Sequence, residues 1–230
     1  MNSFVLSYYI SLIIQLLAFV VQFYGFFLQV TPNLIPLKYA LNIEVWVSVV
    51  EFLVYLWIGT NLANYDVVMT KRYADWFVTT NGLMISISLL FIFFNQREQS
   101  EPLKEEDNNV ETLVENNINK YIPLILYNNA MLLCGFMGEK KIIPKAFSFS
   151  FGFLFFFLSF YHLFHFFASK SRSGTRFFYI ITTIWALYGF SHLLPTLPKN
   201  VCYNILDLIS KNLFGVFMVY LILHPDAFVV

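Results

Sequence analysis

Charge is scarce in this chain. Of its 230 residues only 12% are Asp, Glu, Lys or Arg, and 14 basic residues balance 14 acidic ones. A neutral chain offers no electrostatic footprint for nucleic acid. Cysteine is scarcer still: Cys134 and Cys202 are the two present. Both lie in or beside apolar segments, so they are read as packing residues and no disulfide framework is expected. The N-terminus, MNSFVLSYYISLIIQLLAFVVQF, lacks the basic n-region and small-residue cleavage site of a signal peptide. It is long and apolar enough to be a first membrane span. No internal repeat is visible.

What fills the chain is apolar and aromatic: 58% of residues are hydrophobic and 20% aromatic, with 28 Phe. A soluble domain of this size cannot hide that much apolar surface, so the expectation is an all-α integral membrane protein. A spanning helix needs about 20 apolar residues. Seven such runs are found, roughly 4–30, 39–60, 72–95, 121–138, 144–168, 176–194 and 200–223. Turn signals separate them: TPNLIP at 31–36, NLANYD at 61–66, a polar stretch at 96–120, GEKK at 138–141, SKSRSG at 169–174 and LPTLPKN at 194–200. The reading is one seven-transmembrane-helix bundle over 1–230, with termini on opposite sides. The Lys/Arg balance between the two sets of loops is too even to orient it. The third connection, SEPLKEEDNNVETLVENN, is acidic and reads as a solvated loop.

Against this background six ionisable groups fall within the spans: Glu44, Glu51, Arg72, Asp75, Asp207 and Lys211. A lysine in the middle of CYNILDLISKNLFGVFMVYLIL would be expelled from lipid unless something covalent or a buried counter-charge compensates it. A desolvated lysine also suits Schiff-base chemistry with an aldehyde, which points to a carbonyl cofactor. Asp75 follows Arg72 by three residues and precedes Thr79 by four, so the three share a helix face, and Asp207 and Lys211 share another. Two carboxylates, one guanidinium and one protonated Schiff base make a neutral cluster, the form in which buried charge is tolerated. Glu44 and Glu51 are left over. They lie two turns apart on one face, about 10 Å of rise, and with no cationic partner in sequence reach each needs a proton or water.

Two of these stretches resemble a known family. RYADWFVTT at 72–80 looks like the third helix of the microbial rhodopsins, and LDLISK at 206–211 like their retinal-binding seventh helix. NNAMLLCGFMG at 128–138 keeps the family's Met131, Gly135 and Gly138, and WALYGFSH at 185–192 keeps Trp185 and Tyr188. The resemblance covers essentially all seven spans. It implies a non-enzymatic photoreceptor carrying all-trans retinal as a protonated Schiff base on Lys211. Asp75 then matches the primary counterion and proton acceptor, with Thr79 beside it, and Asp207 the second counterion. Arg72 matches the arginine that separates the counterions from the extracellular half. Trp76, Thr80, Met131, Gly135, Trp185 and Tyr188 match the chromophore pocket. Each Trp or Tyr alone would read as ordinary core; Lys211 changes that.

The departures from the family pattern are informative. Ser86 stands where outward proton pumps carry a carboxylate donor, eleven residues after the acceptor. Gly189 replaces the proline of the sixth helix, His192 the second pocket tryptophan, and Asn128 the acid of the fourth helix, where it can still bond Thr80. Lys199 stands where pumps carry a proton-release acid. Inward donor and outward release acid are both missing, which argues against an efficient pump.

Ser11, Glu44, Glu51, Lys199, Asn200 and Asn204 together resemble the pattern of group 1 viral rhodopsins, from giant viruses that infect algae. That resemblance implies a light-gated channel for monovalent cations and protons, lined by the first, second, third and seventh helices, with the N-terminus outside in a host cell membrane. Carboxylates and amides can replace cation hydration, while Lys199 and Arg72 make constrictions. The alternatives are an outward proton pump using Glu44 or Glu51 as donor, and a sensory rhodopsin. His162 and His165 have HxxH spacing but no acid or cysteine nearby, so they read as an interface pair and no metal is expected. The Phe-rich fifth span faces either lipid or a second copy of the chain.

Overall fold

The structure, a computed structural model, describes residues 2–99 and 110–227. Most of the acidic connection, including Lys104, lies outside the described residues. The elements are α1 (Ser3–Phe26), a 3-10 turn at Pro32–Leu34, α2 (Ile35–Gly59), α3 (Tyr65–Gln99) and the short α4 (Val110–Glu115). There follow α5 (Ile118–Glu139), α6 (Lys145–Phe166), a 3-10 turn at Ala168–Lys170 and α7 (Arg172–His192). The last span is α8 (Thr196–Asp207), a π-helical turn (Leu208–Leu213) and α9 (Phe214–Leu223). The described residues contain helices and no strand. α4 and the π turn carry no signal in the hydropathy pattern and were not expected.

Six segments are long and apolar enough to cross a membrane. The helix Arg172–His192 falls short because Arg172, Arg176, Thr182, Thr183 and His192 dilute its apolar run; with it the spans number the expected seven. Helices at 65–71 and 32–38 extend beyond the sequence boundaries because lysines near their starts find partners. Lys38 Nζ donates to the Gly25 and Phe26 carbonyls, 2.8 and 2.6 Å, and so caps α1. Lys71 Nζ donates to the Trp57 carbonyl at 2.5 Å and the Asn61 side chain at 2.7 Å and caps α2. The last carbonyls of a helix have no partner within it, and a cation there satisfies them. N-termini are closed by Asn2 on Val5 N–H at 2.9 Å and by Ser171 on Gly174 N–H at 3.0 Å.

α1 shows how the bundle is sorted. Its buried residues are Phe4, Tyr8, Ser11, Gln15, Ala18, Gln22 and Gly25, alternating steps of four and three along one face. Ile13, Leu17 and Val20, 60–62% exposed, point the other way. Polar residues inside and aliphatic ones outside is the arrangement lipid requires, since an unpaired polar group costs several kcal/mol in hydrocarbon. α6 follows the same rule: Phe156, Phe160 and Leu163 are buried, whereas Phe147, Phe157 and Tyr161 face outward.

The helices close a ring. α2 packs along α3, α5 against α3 and α6, α6 against α7, α7 against α8, and α1 against α2, α8 and α9. Phe91, Phe93, Phe94, Leu124, Phe160, Phe167 and Leu221 form the larger apolar core at one end. Phe4, Tyr8, Tyr55, Ile58 and Val68 form a smaller one at the other. Along α3, Arg72 and Asp75 come between the residues of these two cores. The π turn adds a residue to the helical repeat where Lys211 lies, so Leu208, Ser210, Lys211 and Asn212 are all buried in this one stretch.

Candidate chromophore site and its counter-charges

Lys211 is 1% exposed. Its Nζ donates to Asp75 Oδ2 at 2.6 Å and lies 3.7 Å from Asp207 Oδ1. The structure therefore brings the lysine and both expected counter-charges together from α3 and the last span. It adds a third carboxylate. Glu51 Oε1 is 3.8 Å from Lys211 Nζ, and Glu51 Oε2 accepts from Asn212 Nδ2 at 2.7 Å. Glu51 thus has a cationic neighbour, which lies outside its reach in sequence. The sequence hides this because α2 and the last span meet only in the folded bundle.

Asp207 is the most heavily bonded group. Arg72 Nη1 donates to Oδ2 at 3.0 Å, Tyr55 OH to Oδ2 at 2.8 Å, Trp76 Nε1 to Oδ1 at 3.1 Å and Tyr188 OH to Oδ1 at 2.9 Å. Arg72 also donates to Asn204 Oδ1, whose amide nitrogen reaches Ser7 Oγ at 2.8 Å. Tyr55 is a member of this cluster that charge counting could not find. Thr79 shares the Asp75 face as expected, but its hydroxyl donates to the Asp75 backbone carbonyl at 2.9 Å and not to the carboxylate. A helical threonine reaches its own i−4 carbonyl easily. Thr80 donates to the Trp76 carbonyl at 2.6 Å and accepts from Asn128 Nδ2 at 2.8 Å, the partnership expected for Asn128.

Lys211 closes one wall of a cavity lined mainly by apolar and aromatic side chains. Trp76, Thr80, Met131, Gly135, Trp185 and Tyr188 line it, so every expected pocket residue is present. Tyr73, Leu83, Phe153, Phe156, Gly189, His192 and Tyr203 are also among its walls. Glycine is required at two of these positions. A Cβ on Gly135 would come within 2.6 Å of the Tyr73 hydroxyl, and one on Gly189 within 2.6 Å of the Phe153 ring. Rigid aromatic walls suit a long, flat, apolar molecule. A buried amine at the wall with carboxylates beside it is the donor set that a covalently held aldehyde needs. The residues fit retinal.

A family model described as bacteriorhodopsin-like protein matches residues 3–224. The chain belongs to that family. Microbial rhodopsins bind retinal and serve in light-driven ion transport or in light sensing. Among solved structures, the family fold recurs in viral rhodopsin OLPVRII, at 24% identity and TM-score 0.78, over 97% of this chain and 99% of that one. Blue light-absorbing proteorhodopsin from Med12 matches at 21% identity and TM-score 0.74, with 98% of each chain covered. Halorhodopsin from Halobacterium salinarum, in its bromide-bound form, matches at 13% identity and TM-score 0.69, over 99% of this chain and 97% of that one. No curated protein matches.

A buried polar seam runs between α1, α2 and the last span. Ser11, Glu44, Glu51, Asn200 and Asn204 are all 0–1% exposed. Gln15, Gln22, Ser48 and Asn212, not singled out from sequence, join them. Ser48 Oγ donates to Gln22 Oε1 at 2.9 Å, and Gln22 Nε2 donates to the Asn212 carbonyl at 3.2 Å. Asn200 Nδ2 turns back to the Thr196 carbonyl at 2.8 Å. The seven-step spacing of Gln15 and Gln22 on a helix read only as an apolar span was the available signal. Both Gln15 side-chain atoms, both Glu44 oxygens, Glu51 Oε1, Asn200 Oδ1 and Asn212 Oδ1 have no hydrogen-bond partner of ordinary geometry among the described residues. The hydroxyl of Ser86, on α3, faces Glu44.

Lys199 lies on α8. Its ammonium donates to both oxygens of Glu139, 2.7 Å each. It is a paired cation tying α8 to the end of α5. Glu139 belongs to the GEKK turn signal in sequence, but α5 runs one residue further than expected and keeps it within reach. His162 Nε2 lies 2.9 Å from the Lys120 carbonyl, and no cluster of metal-ligating residues occurs among the described residues.

Proposed function

We propose that this protein is a light-gated cation channel carrying all-trans retinal on Lys211. The observation that supports it is the seam of buried polar groups, several of them unpartnered. In a membrane bundle such atoms call for water or ions, and intramembrane acids and amides mark ion pathways.

Retinal, held through its aldehyde on Lys211, supplies light absorption and a change of shape on isomerisation. The protein's residues do the rest. Lys211 Nζ passes its proton to Asp75 Oδ2, 2.6 Å away, which has a free second oxygen. The charge that held Asp75, Asp207 and Glu51 around the lysine is then gone. Arg72, held by Asp207, Tyr55 and Asn204, is released to shift. Water enters the seam through Ser11, Glu51 and Asn204, and monovalent cations and protons follow their gradient. Glu44 controls the inner end and Glu51 the centre. The N-terminus lies outside, the C-terminus inside, and the membrane is that of the host cell.

A second reading has one observation in its favour. Glu44 faces Ser86, the position of the donor acid in pumps, so Glu44 can act as donor from the neighbouring helix in an outward proton pump. Photocurrent recorded against voltage at two cation gradients separates the two readings.

A further inference from the structure

At the end of the bundle that carries the N-terminus, Glu139 joins three helices. Its Oε1 lies 2.9 Å from His192 Nδ1 on α7, and its two oxygens take the Lys199 ammonium of α8. On its other side the His192 ring approaches α6, with Nε2 3.4 Å from Ser148 Oγ. The Ser148 hydroxyl donates its own hydrogen to the Cys134 carbonyl at 2.8 Å. Both ring nitrogens of His192 therefore lie near oxygens, but the approach of Nδ1 to Glu139 has ion-pair distance without hydrogen-bond alignment. Protonation of the ring turns that approach into a contact between opposite charges.

Two further features make this cluster more than a structural tie. His192 and Ser148 line the chromophore cavity, so a charge on the ring is felt there directly. The cluster also meets solvent: the Glu139 side chain is 12% exposed, against 7% for His192 and Lys199. From this geometry we infer that His192, Glu139 and Lys199 form a proton site through which the pH of the outer aqueous phase sets the colour of the pigment. The inference rests on the retinal reading above.

The groups around the site fix the signs. Lys199 and Tyr203 of α8 and Tyr73 of α3 face Glu139. Lys145, at the start of α6, binds the Leu193 carbonyl beside the ring at 3.1 Å, and Lys140 turns away to the Thr70 hydroxyl at 2.5 Å. One carboxylate is thus shared by Lys199 and, when protonated, His192. Removing Lys199's charge leaves Glu139 to the imidazolium and favours proton uptake. Removing Glu139's charge leaves the imidazolium beside a bare ammonium and disfavours it.

The test uses the full chain reconstituted with all-trans retinal, its absorption followed from acid to alkaline pH. The same chain without retinal, labelled with 15N-histidine, is followed by NMR. One step in the absorption titration is expected to be missing in His192→Asn, to move to higher pH in Lys199→Gln and to lower pH in Glu139→Gln. The His192 ring signal, assigned by its loss in His192→Asn, should titrate in step with it and shift in the two charge variants. A coloured pigment that keeps every pH step in His192→Asn overturns the inference. So do midpoints unchanged by Glu139→Gln and Lys199→Gln, which need no change in the cavity wall. A chain that takes up no retinal contradicts the retinal reading instead, and the NMR titration then still decides whether the proton site exists.

Discussion

Asp75 Oδ2 receives the Lys211 ammonium at 2.6 Å, while its other oxygen has no partner among the described residues. Asp207 differs: both of its oxygens accept from Arg72, Tyr55, Trp76 or Tyr188. A proton arriving on Asp75 disturbs one bond, whereas one arriving on Asp207 disturbs several. This asymmetry supports the proposed acceptor role of Asp75 and a fixed anionic role for Asp207.

Replacing the acceptor tests that division. Asp75→Asn should slow loss of the Lys211 Nζ proton by roughly 100-fold or more, the usual worth of a positioned base. Time-resolved absorption after a flash reads it. Asp207→Asn should leave that rate within about tenfold, since Asp75 keeps its place. The reverse ranking would exchange the two roles.

Asp207 carries more weight in stability. Asp207→Ala strands the buried Arg72 guanidinium, and breaking a buried pair from one side costs about 3–5 kcal/mol. The variant should fold poorly or lose its colour at markedly lower temperature than Asp207→Asn, whose amide can still accept hydrogen bonds. Thermal bleaching of the two purified variants measures the difference; equal midpoints would mean that the Arg72 contact is not stabilising.

The link between α3 and α5 is smaller and more local. Asn128→Ala removes the bonds to Thr80 Oγ1 and Asn81 Oδ1, 2.8 and 2.9 Å, and should cost about 1–3 kcal/mol for the polar groups left unpaired. Thermal bleaching again reads it, and Asn128→Asp should not recover the loss, because a carboxylate cannot donate to either oxygen.

Along the seam, Glu44→Gln and Glu51→Gln keep shape and remove charge. Glu51→Gln can also keep the bond from Asn212, because the amide oxygen still accepts. Both variants should remain coloured while their conductance or cation selectivity changes. Photocurrents measured with Na⁺ or K⁺ outside provide the check, and currents unchanged in both variants would remove the pore from this seam.

Much of this was legible in the sequence, and what was not shares a physical cause. The spans followed from hydropathy because lipid imposes it residue by residue. Lys211, Asp75, Arg72 and Asp207 stood out because a charge in an apolar run has to be explained. Tyr55, Glu139 and the meeting of Glu51 with Lys211 did not. Each depends on which helices face one another, and nothing local to α2 or α5 encodes that. Gln15 and Gln22 were overlooked for a different reason: two amides barely alter the mean hydropathy of a 24-residue helix, although their spacing marks its inner face. The π turn at 208–213 is likewise silent in composition, since LISKNL has no residue that demands it.

The covalent site has a simple control. Lys211→Ala removes the one amine that lines the cavity among the described residues and should abolish visible absorption on incubation with all-trans retinal. A retained visible band would place the chromophore elsewhere.

The measurement that bears most directly on the central claim is whole-cell photocurrent against voltage, in cells supplied with retinal, at two external cation compositions. A passive light-gated channel gives a current that reverses sign, at a potential that follows the cation gradient. A current that stays outward at every voltage would contradict the channel and make Glu44 the donor of a proton pump.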